Sequence, residues 1–272
     1  MGVLSQQKQR FLEELWCYYN QHGRHDLPWR IAEQGDELNP YKVLVSEVML
    51  QQTQVTRVIE KYDEFLGAFP TIETLASARL GEVLRLWQGL GYNRRAKYLW
   101  ESAKLVHKRG SFPAELGELV TLPGVGVNTA GAVMAYAHNV PALFVETNVR
   151  TVYIHHFFPN EQAVRDTEII ELLQETIDQE HAREFYWALM DYGSYLKKQV
   201  RNNSQSKHYT KQSKFEGSSR QVRGMVLREL STGEKSMAEL AKQIDDKRLT
   251  SIVETLENEQ MITRKGKNIT LT

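Results

Sequence analysis

Residues 119–137, LVTLPGVGVNTAGAVMAYA, decide how the chain is read. Residues 119–122 read as the end of one short helix, and Asn128 to Tyr136 as the start of another, built of small and β-branched residues that let neighbours approach closely. Between them Pro123 stops the first helix, while Gly124 and Gly126 permit positive φ without a Cβ clash. The pattern predicts a tight helix–hairpin–helix whose turn, with Val125 and Val127, presents backbone N–H groups at a helix N-terminus. Such a turn binds a phosphate without a basic side chain. A glycine-containing αα-turn with no ligand fits the same residues.

The rest of the chain narrows the choice. Its 272 residues suffice for two domains, or three small ones. With 41% hydrophobic and 25% charged residues the composition is that of an ordinary globular protein. No apolar run nears the ~20 residues of a membrane span, so no membrane partner is expected. The opening MGVLSQQKQRFLEELW lacks the apolar core of a signal peptide, and a cytoplasmic, nucleoid-associated location is the expectation. A single cysteine, Cys17, excludes an internal disulfide and any cysteine-ligated cluster. The formal net charge of zero hides an asymmetry. Residues 161–191 carry nine acids against two arginines, whereas residues 197–223 carry eight Lys/Arg against the single acid Glu216. That basic block, which includes Lys197, Lys198, Arg201 and Lys207, reads either as a flexible segment lying on phosphate or as a solvated linker.

In chain order, residues 6–22 form an amphipathic helix on Phe11, Leu12, Leu15, Trp16 and Tyr19, followed by a loop over 22–38 containing Leu27-Pro28-Trp29-Arg30. Asn39-Pro40 is a strong helix start, and residues 41–52, YKVLVSEVMLQQ, are apolar on nearly all sides, as in a central buried helix. Glu47 sits among Val45, Val48, Met49 and Leu50. Burial there would raise its pKa, which suits a general acid; a glutamate at the edge of the face, reaching solvent, fits equally. Helices follow over 55–69, 72–76, 80–86 and 92–109, with a glycine-punctuated turn at 87–92 and Asn93, Arg94, Arg95 and Lys97 just after it. Beyond the hairpin, Glu146 and Asn148 open a further helix, and helices over 167–179 and 182–195 complete the body, with no strand before residue 217. Residues 220–230, 237–244 and 248–259 then read as short helices, with Ser236 as a cap. Alternation at 261–264 and 268–271 gives a β-hairpin, so the last fifty residues resemble a winged helix.

SEVMLQQTQV (46–55), LWQGLGYNRRAKYL (86–99), LPGVGVNTAGAV (122–133) and ETNVRTV (146–152), with LPWR upstream, together resemble the helix–hairpin–helix DNA glycosylases, and within them the MutY-type adenine DNA glycosylases, over residues 8–195. The resemblance implies an all-α, two-lobed fold with a cleft that takes bent DNA and one flipped nucleotide. The glycosylase part would span 1–200, with a six-helix barrel lobe over 30–137 and a second lobe from 1–29 plus 138–200. Residues 201–217 would be a basic linker and 218–272 a small winged-helix-like α+β domain.

Residue by residue, the resemblance makes Glu47 the general acid and puts Glu146 where the family has an aspartate that stabilises the cationic sugar. Gln52 matches the residue that wedges into the duplex. Leu27, Trp29, Arg30, Thr53 and Val55 match the adenine pocket, which Asn128 and Asn148 adjoin. Gln51, Tyr92, Asn93 and Arg94 join the hairpin, Gly124 to Val127, on DNA, with a sodium or potassium ion on hairpin carbonyls and no side-chain ligand. Where bifunctional relatives carry a nucleophilic lysine this chain has Asn128, so strand cleavage should be absent or slight. The family's four cluster cysteines are missing, which implies loss of the [4Fe–4S] cluster and a basic loop in its place. Asn93 replaces a tyrosine that inserts beside 8-oxoguanine, and the family's separate 8-oxoguanine-reading domain is replaced by the winged-helix-like unit, which could hold a protein partner. The expectation is therefore a monomeric, monofunctional glycosylase on double-stranded DNA, removing adenine opposite guanine or 8-oxoguanine. A mismatch thymine or uracil glycosylase, or another damaged-base enzyme, and a non-catalytic lesion-sensing protein are the alternatives.

Overall fold

The computed structural model describes residues 3–32 and 35–272. Met1 and Gly2 of the opening segment, and residues 33 and 34 of the loop over 22–38, lie outside the described residues. The helices are α1 (Val3–His22), α2 (Pro40–Leu50), α3 (Val55–Ala68), α4 (Ile72–Ser77), α5 (Leu80–Leu86), α6 (Arg94–Arg109), α7 (Leu116–Leu119), α8 (Val127–His138), α9 (Thr147–Phe157), α10 (Asp166–Thr176) and α11 (Ala182–Gln199). After them come α12 (Ser219–Ser231), β1 (Lys235–Ser236), α13 (Met237–Gln243), α14 (Leu249–Asn258), β2 (Ile262–Lys265) and β3 (Asn268–Leu271). The chain is thus helical up to a small C-terminal sheet, as the sequence pattern requires. Local chemistry sets the ends: Asn39 Oδ1 accepts from the Tyr41 and Lys42 amides, and Ser236 accepts from the Glu239 amide in a capping box.

The chain divides into two compact units. One comprises Met1–Leu44, Ala114–Val120 and Val125–Lys211. Its core is built by α1, α8, α9 and α11 around Phe11, Leu15, Tyr153, Phe185 and Tyr186, all fully buried. α8 is nearly all small and apolar because it is buried on most of its surface; a Cβ on Gly131 would lie 2.7 Å from the Phe144 ring. Arg183 closes the end of that helix, donating from Nε to the Tyr136 carbonyl at 2.5 Å and from Nη2 to the Ala137 carbonyl at 3.2 Å.

The other unit comprises Val45–Pro113, Thr121–Gly124 and Gln212–Thr272. α4 packs on α6, α5 joins them, and Phe65, Leu75, Leu84 and Trp87 fill the core. α12, α13 and α14 pack with an antiparallel sheet of order β1-β3-β2, a winged-helix-like arrangement. β1 has two residues, too short for alternation to reveal it.

This partition differs from the expected lobes in two respects. Residues 212–272 do not stand as a domain apart but share a unit with α3–α6. The Gly81 amide donates to the Thr272 carbonyl at 2.5 Å, Arg85 to the Ser231 carbonyl, Lys97 to the Glu259 carbonyl, and Arg94 to the Glu259 carboxylate. The second hairpin helix, α8, falls with α9 and α11 rather than with the 45–113 helices. The expected linker over 201–217 begins with a short ordered piece. Residues 202–205 form a 3-10 turn on α9, and Val164 and Ser206 form a parallel bridge.

Candidate functional site

In the unit that carries Glu47, the organising residue is Arg95, which sequence reading named only as one of several basic residues after a turn. It lies on the buried face of α6 with Ala96, Leu99, Ser102, Ala103 and Val106. From there its Nη1 donates to the carbonyls of Val48 (2.7 Å), Met49 (3.0 Å) and Gln51 (2.6 Å). Its Nη2 donates to Thr53 Oγ1 (3.1 Å) and to the carbonyls of Leu90 (3.0 Å) and Gly91 (3.1 Å). A guanidinium at a helix C-terminus satisfies the carbonyls that α2 leaves open and complements its dipole. Burial pulls its pKa down to about 10, so it stays charged at neutral pH. One cation thereby fixes the end of α2, the QQT turn and the glycine turn together. Glu47, half-buried, stands one residue before the first of these bonds.

One turn carries Gln52, the expected wedge residue, and the other Tyr92, an expected DNA contact. Gln52 (φ 56°) and Tyr92 (φ 47°) are both left-handed, a conformation that costs a side-chain-bearing residue energy and persists where the surroundings impose it. Gln52 is exposed and Tyr92 half-buried. Val55 opens α3, and Asn93 stands at the start of α6 without a side-chain cap. Arg94 is not an open cation: its guanidinium is held on Glu259, which also takes Arg223 at 2.6 Å. Sequence spacing could not bring Glu259 to Arg94, so this pairing is a finding of the structure.

At the hairpin, Gly124 has φ +73°, and a Cβ there would lie 2.8 Å from Tyr98 Cβ. Both facts require glycine. Ser102 Oγ donates to the Pro123 carbonyl at 3.0 Å and anchors the turn. Gly126 is the N-cap of α8, and Val125 is buried while Val127 is 59% exposed.

In the unit that carries Glu146, that residue is the N-cap of α9, as its position before Asn148 predicts. The approach to it is held rigidly. Asn128 Nδ2 donates to the Val145 carbonyl (3.0 Å), Tyr186 donates to the Ala142 carbonyl (2.6 Å), and Phe144 stacks on Tyr186 with centroids 4.0 Å apart. Burial raises the Glu146 carboxyl above the ordinary range. Arg150 pulls the other way, but its guanidinium is forked onto Asp166 with both bonds at 2.6 Å. Asn148 Nδ2 donates to the Met190 carbonyl at 3.2 Å, and only glycine fits at 193, where a Cβ would lie 2.6 Å from the Asn148 carbonyl oxygen.

Leu27, Trp29 and Arg30 are buried in this unit. Arg30 is committed to structure: it bonds Asp191 through Nη1 (2.8 Å) and Nη2 (3.0 Å) and lies over the Trp187 ring at 5.1 Å. Asp191 also takes Arg24. Burial alone would raise its carboxyl, but the bonds and charges of Arg30 and Arg24 hold it below the ordinary range. Lys197 and Lys198, in the last turn of α11, with Arg201 and Lys207, are all exposed. The residues do not fit an iron–sulfur cluster. Cys17 is on the exposed side of α1, and among the described residues no group of three or more His, Cys, Asp or Glu could hold a metal. Among them, too, no helix is long and apolar enough to cross a membrane.

Residues 45–179 match the family described as HhH-GPD superfamily base excision DNA repair protein. The chain is 36% identical over 192 residues to an adenine DNA glycosylase of Buchnera aphidicola subsp. Baizongia pistaciae, covering 68% of this chain and 52% of that one. It is 38% identical over 165 residues to the adenine DNA glycosylase of Mycolicibacterium smegmatis, covering 59% and 55%. The chain thus spans about half the length of these relatives. Among solved structures, a thermostable thymine-DNA glycosylase superposes with a TM-score of 0.62 at 26% identity, covering 71% of this chain and 88% of that one. An endonuclease III in a non-covalent DNA complex shares the fold at a TM-score of 0.58 and 22% identity. With the glycine hairpin, the QQT turn and the head of α9 all falling inside the matched span, the chain belongs to the HhH-GPD superfamily of base excision DNA repair proteins.

Proposed function

We propose that the protein is a monofunctional DNA glycosylase that hydrolyses the N-glycosidic bond of a flipped adenine opposite guanine or 8-oxoguanine. The observation that carries this reading is the position of Glu47, at the end of α2 that Arg95 fixes and inside the span matched to the base excision DNA repair family, in a chain 36% identical over 192 residues to an adenine DNA glycosylase. The Glu47 carboxyl gives its proton to N7 of the adenine. The C1′–N9 bond then breaks with its electron pair leaving on the base, and an oxocarbenium-like sugar remains. Ionised Glu146 stabilises that cation. Water adds at C1′, its proton passes to Glu47, and an abasic site results. Asn128 offers no amine for a Schiff base, and its amide is engaged on Val145, so no lyase step follows. The hairpin N–H groups take a backbone phosphate, with a monovalent cation on the turn's carbonyls, and exposed Lys197, Lys198, Arg201 and Lys207 add sequence-independent attraction. No iron–sulfur cluster takes part. The site of action is chromosomal DNA in the cytoplasm.

The test is release from a panel of duplexes, with A opposite 8-oxoguanine, A:G, T:G and U:G, followed by alkali to cut abasic sites. Adenine release that Glu47→Gln abolishes while duplex binding persists is the expected result. Release from T:G or U:G alone would overturn the adenine assignment, and a strand break without alkali would overturn the monofunctional one.

A further inference from the structure

Across Gln52, the expected wedge, and Tyr92 the chain lays a segment of its own. Gln212 Nε2 donates to Gln52 Oε1 at 3.1 Å and also to the Tyr92 hydroxyl. Arg220 Nη1 donates to the same hydroxyl, and its guanidinium carbon lies 5.3 Å from the Tyr92 ring centroid. Arg220 Nη2 bonds Ser213 at the carbonyl (2.7 Å) and at Oγ (3.1 Å). The intervening turn is built to hold this pose. The Gly217 amide donates to Gln221 Oε1 (2.7 Å), Ser218 Oγ donates to the Phe215 carbonyl (2.6 Å), and Ser218 caps α12. Arg220 therefore stands in the first turn of a helix locked by buried Val222, Val226, Leu227 and Leu230.

Two amides, a phenol and a guanidinium at one spot are groups that read base edges and stack on base faces. The charge pattern separates Arg220 from its neighbours. Arg94 and Arg223 share the carboxylate of Glu259 and Arg79 pairs with Glu82, whereas no carboxylate stands among the described partners of Arg220 or Gln212. Its contacts are to one hydroxyl, one carbonyl and the Ser213 side chain, bonds that a nucleic-acid acceptor can replace.

We propose that Arg220, positioned by Gln212, is a specificity-determining residue that reads the base left opposite the excised one, a guanine-type base presenting carbonyl acceptors to the guanidinium fork. This rests on the glycosylase reading above. In the free protein the two arms of the fork rest on the Tyr92 hydroxyl and on Ser213; on DNA they exchange these for acceptors on the base, O6 and N7 of guanine or O6 of its 8-oxo form.

The experiment measures single-turnover base release and duplex binding by anisotropy, for adenine opposite guanine, 8-oxoguanine, cytosine or an abasic analogue, with the full chain and its R220A, R220K and Q212A variants. The expected result is that the rate ratio for guanine-type over cytosine partners falls roughly tenfold in R220A, the size of one lost bidentate contact. R220K, which keeps charge without the fork, should recover only part. The larger loss among the guanine and 8-oxoguanine arms identifies which partner is read. Equal loss on every duplex, with a lowered melting temperature, would make Arg220 a strut and overturn the proposal, as would an unchanged ratio. Should the unsubstituted chain release no base, the glycosylase reading fails. The binding ratio then decides this proposal separately: it stands if R220A abolishes a guanine preference and falls if it does not.

Discussion

Replacing Arg95 by methionine tests whether one buried cation builds the two turns that carry Gln52 and Tyr92. The substitution keeps much of the apolar stem and removes six donated bonds, of which those to the Val48, Met49 and Leu90 carbonyls are buried. At roughly 1.5–3 kcal/mol for each bond to a charged group, those three stabilise by about 5–9 kcal/mol. Against them stands the cost of holding charge in the interior. A pKa pulled down to about 10 corresponds to about 3 kcal/mol relative to an ordinary arginine. The difference leaves a net loss of about 2–6 kcal/mol for Arg95→Met, a large part of the ~5–15 kcal/mol that holds a folded protein. Arg95→Lys should recover at most half, because an ammonium has three donors on one atom. Urea unfolding measures the loss, and amide exchange should rise first in residues 50–53 and 89–92. A loss under about 1 kcal/mol, or protection unchanged in both turns, would refute the reasoning.

Three further outcomes are expected. Gly124→Ala places a Cβ 2.8 Å from Tyr98 at φ +73°, so stability should fall by about 1–3 kcal/mol and duplex affinity with it; unchanged affinity would remove the hairpin from the DNA contact. Asp191→Asn leaves buried Arg30 without its counter-charge and should cost about 3–5 kcal/mol in denaturant unfolding. Because the folded Asp191 carboxyl titrates below its unfolded value, its stabilisation is complete above about pH 4 and is lost as pH falls through the folded value; an Asp191→Asn variant should lose that part of the acid dependence. Glu146 titrates above the ordinary range and must be ionised to stabilise a sugar cation, so base release should decline as pH falls through its raised value. Glu146→Gln should lose that acid limb and at least tenfold in rate at neutral pH, while Glu146→Asp keeps the limb; a Gln variant of full rate would remove Glu146 from the chemistry.

The motifs that announce themselves in the sequence are those whose chemistry is local. Asn39-Pro40 opens α2, Ser236 caps α13, and the glycine at 124 takes the left-handed turn its position demands. Glu146 stands at the head of α9 because the ETNV run specifies it. What stayed hidden depends on partners distant in sequence. Arg95 looks like one basic residue in a run, yet it shares the buried stripe of α6 with Leu99 and Val106, and an arginine on such a stripe is the one sign available of a buried hub. Arg94 and Glu259 are 165 residues apart, so their pairing leaves no periodic trace. Composition likewise read residues 212–217 as linker, since its amides and hydroxyls disclose their partners only when the chain has folded back onto Gln52 and Tyr92.

The stretch after α11 divides two physical tasks between its inward and outward side chains. Inward, the work is done by neutral amides and hydroxyls. Asn202 Nδ2 donates to the Thr151 carbonyl (2.9 Å), Thr151 Oγ1 to Asn203 Oδ1 (2.7 Å), and Gln205 Nε2 to the carbonyls of Pro159 (3.1 Å) and Glu161 (2.8 Å). The Val164 amide donates to the Gln205 carbonyl and the Lys207 amide to the Val164 carbonyl, each at 2.9 Å. The Gln205 bonds satisfy carbonyls just beyond the end of α9, while the Asn202 and Thr151 bonds tie the stretch to the middle of that helix. Outward, Lys198, Arg201 and Lys207 keep their charges exposed, where an anionic backbone attracts them without a desolvation cost.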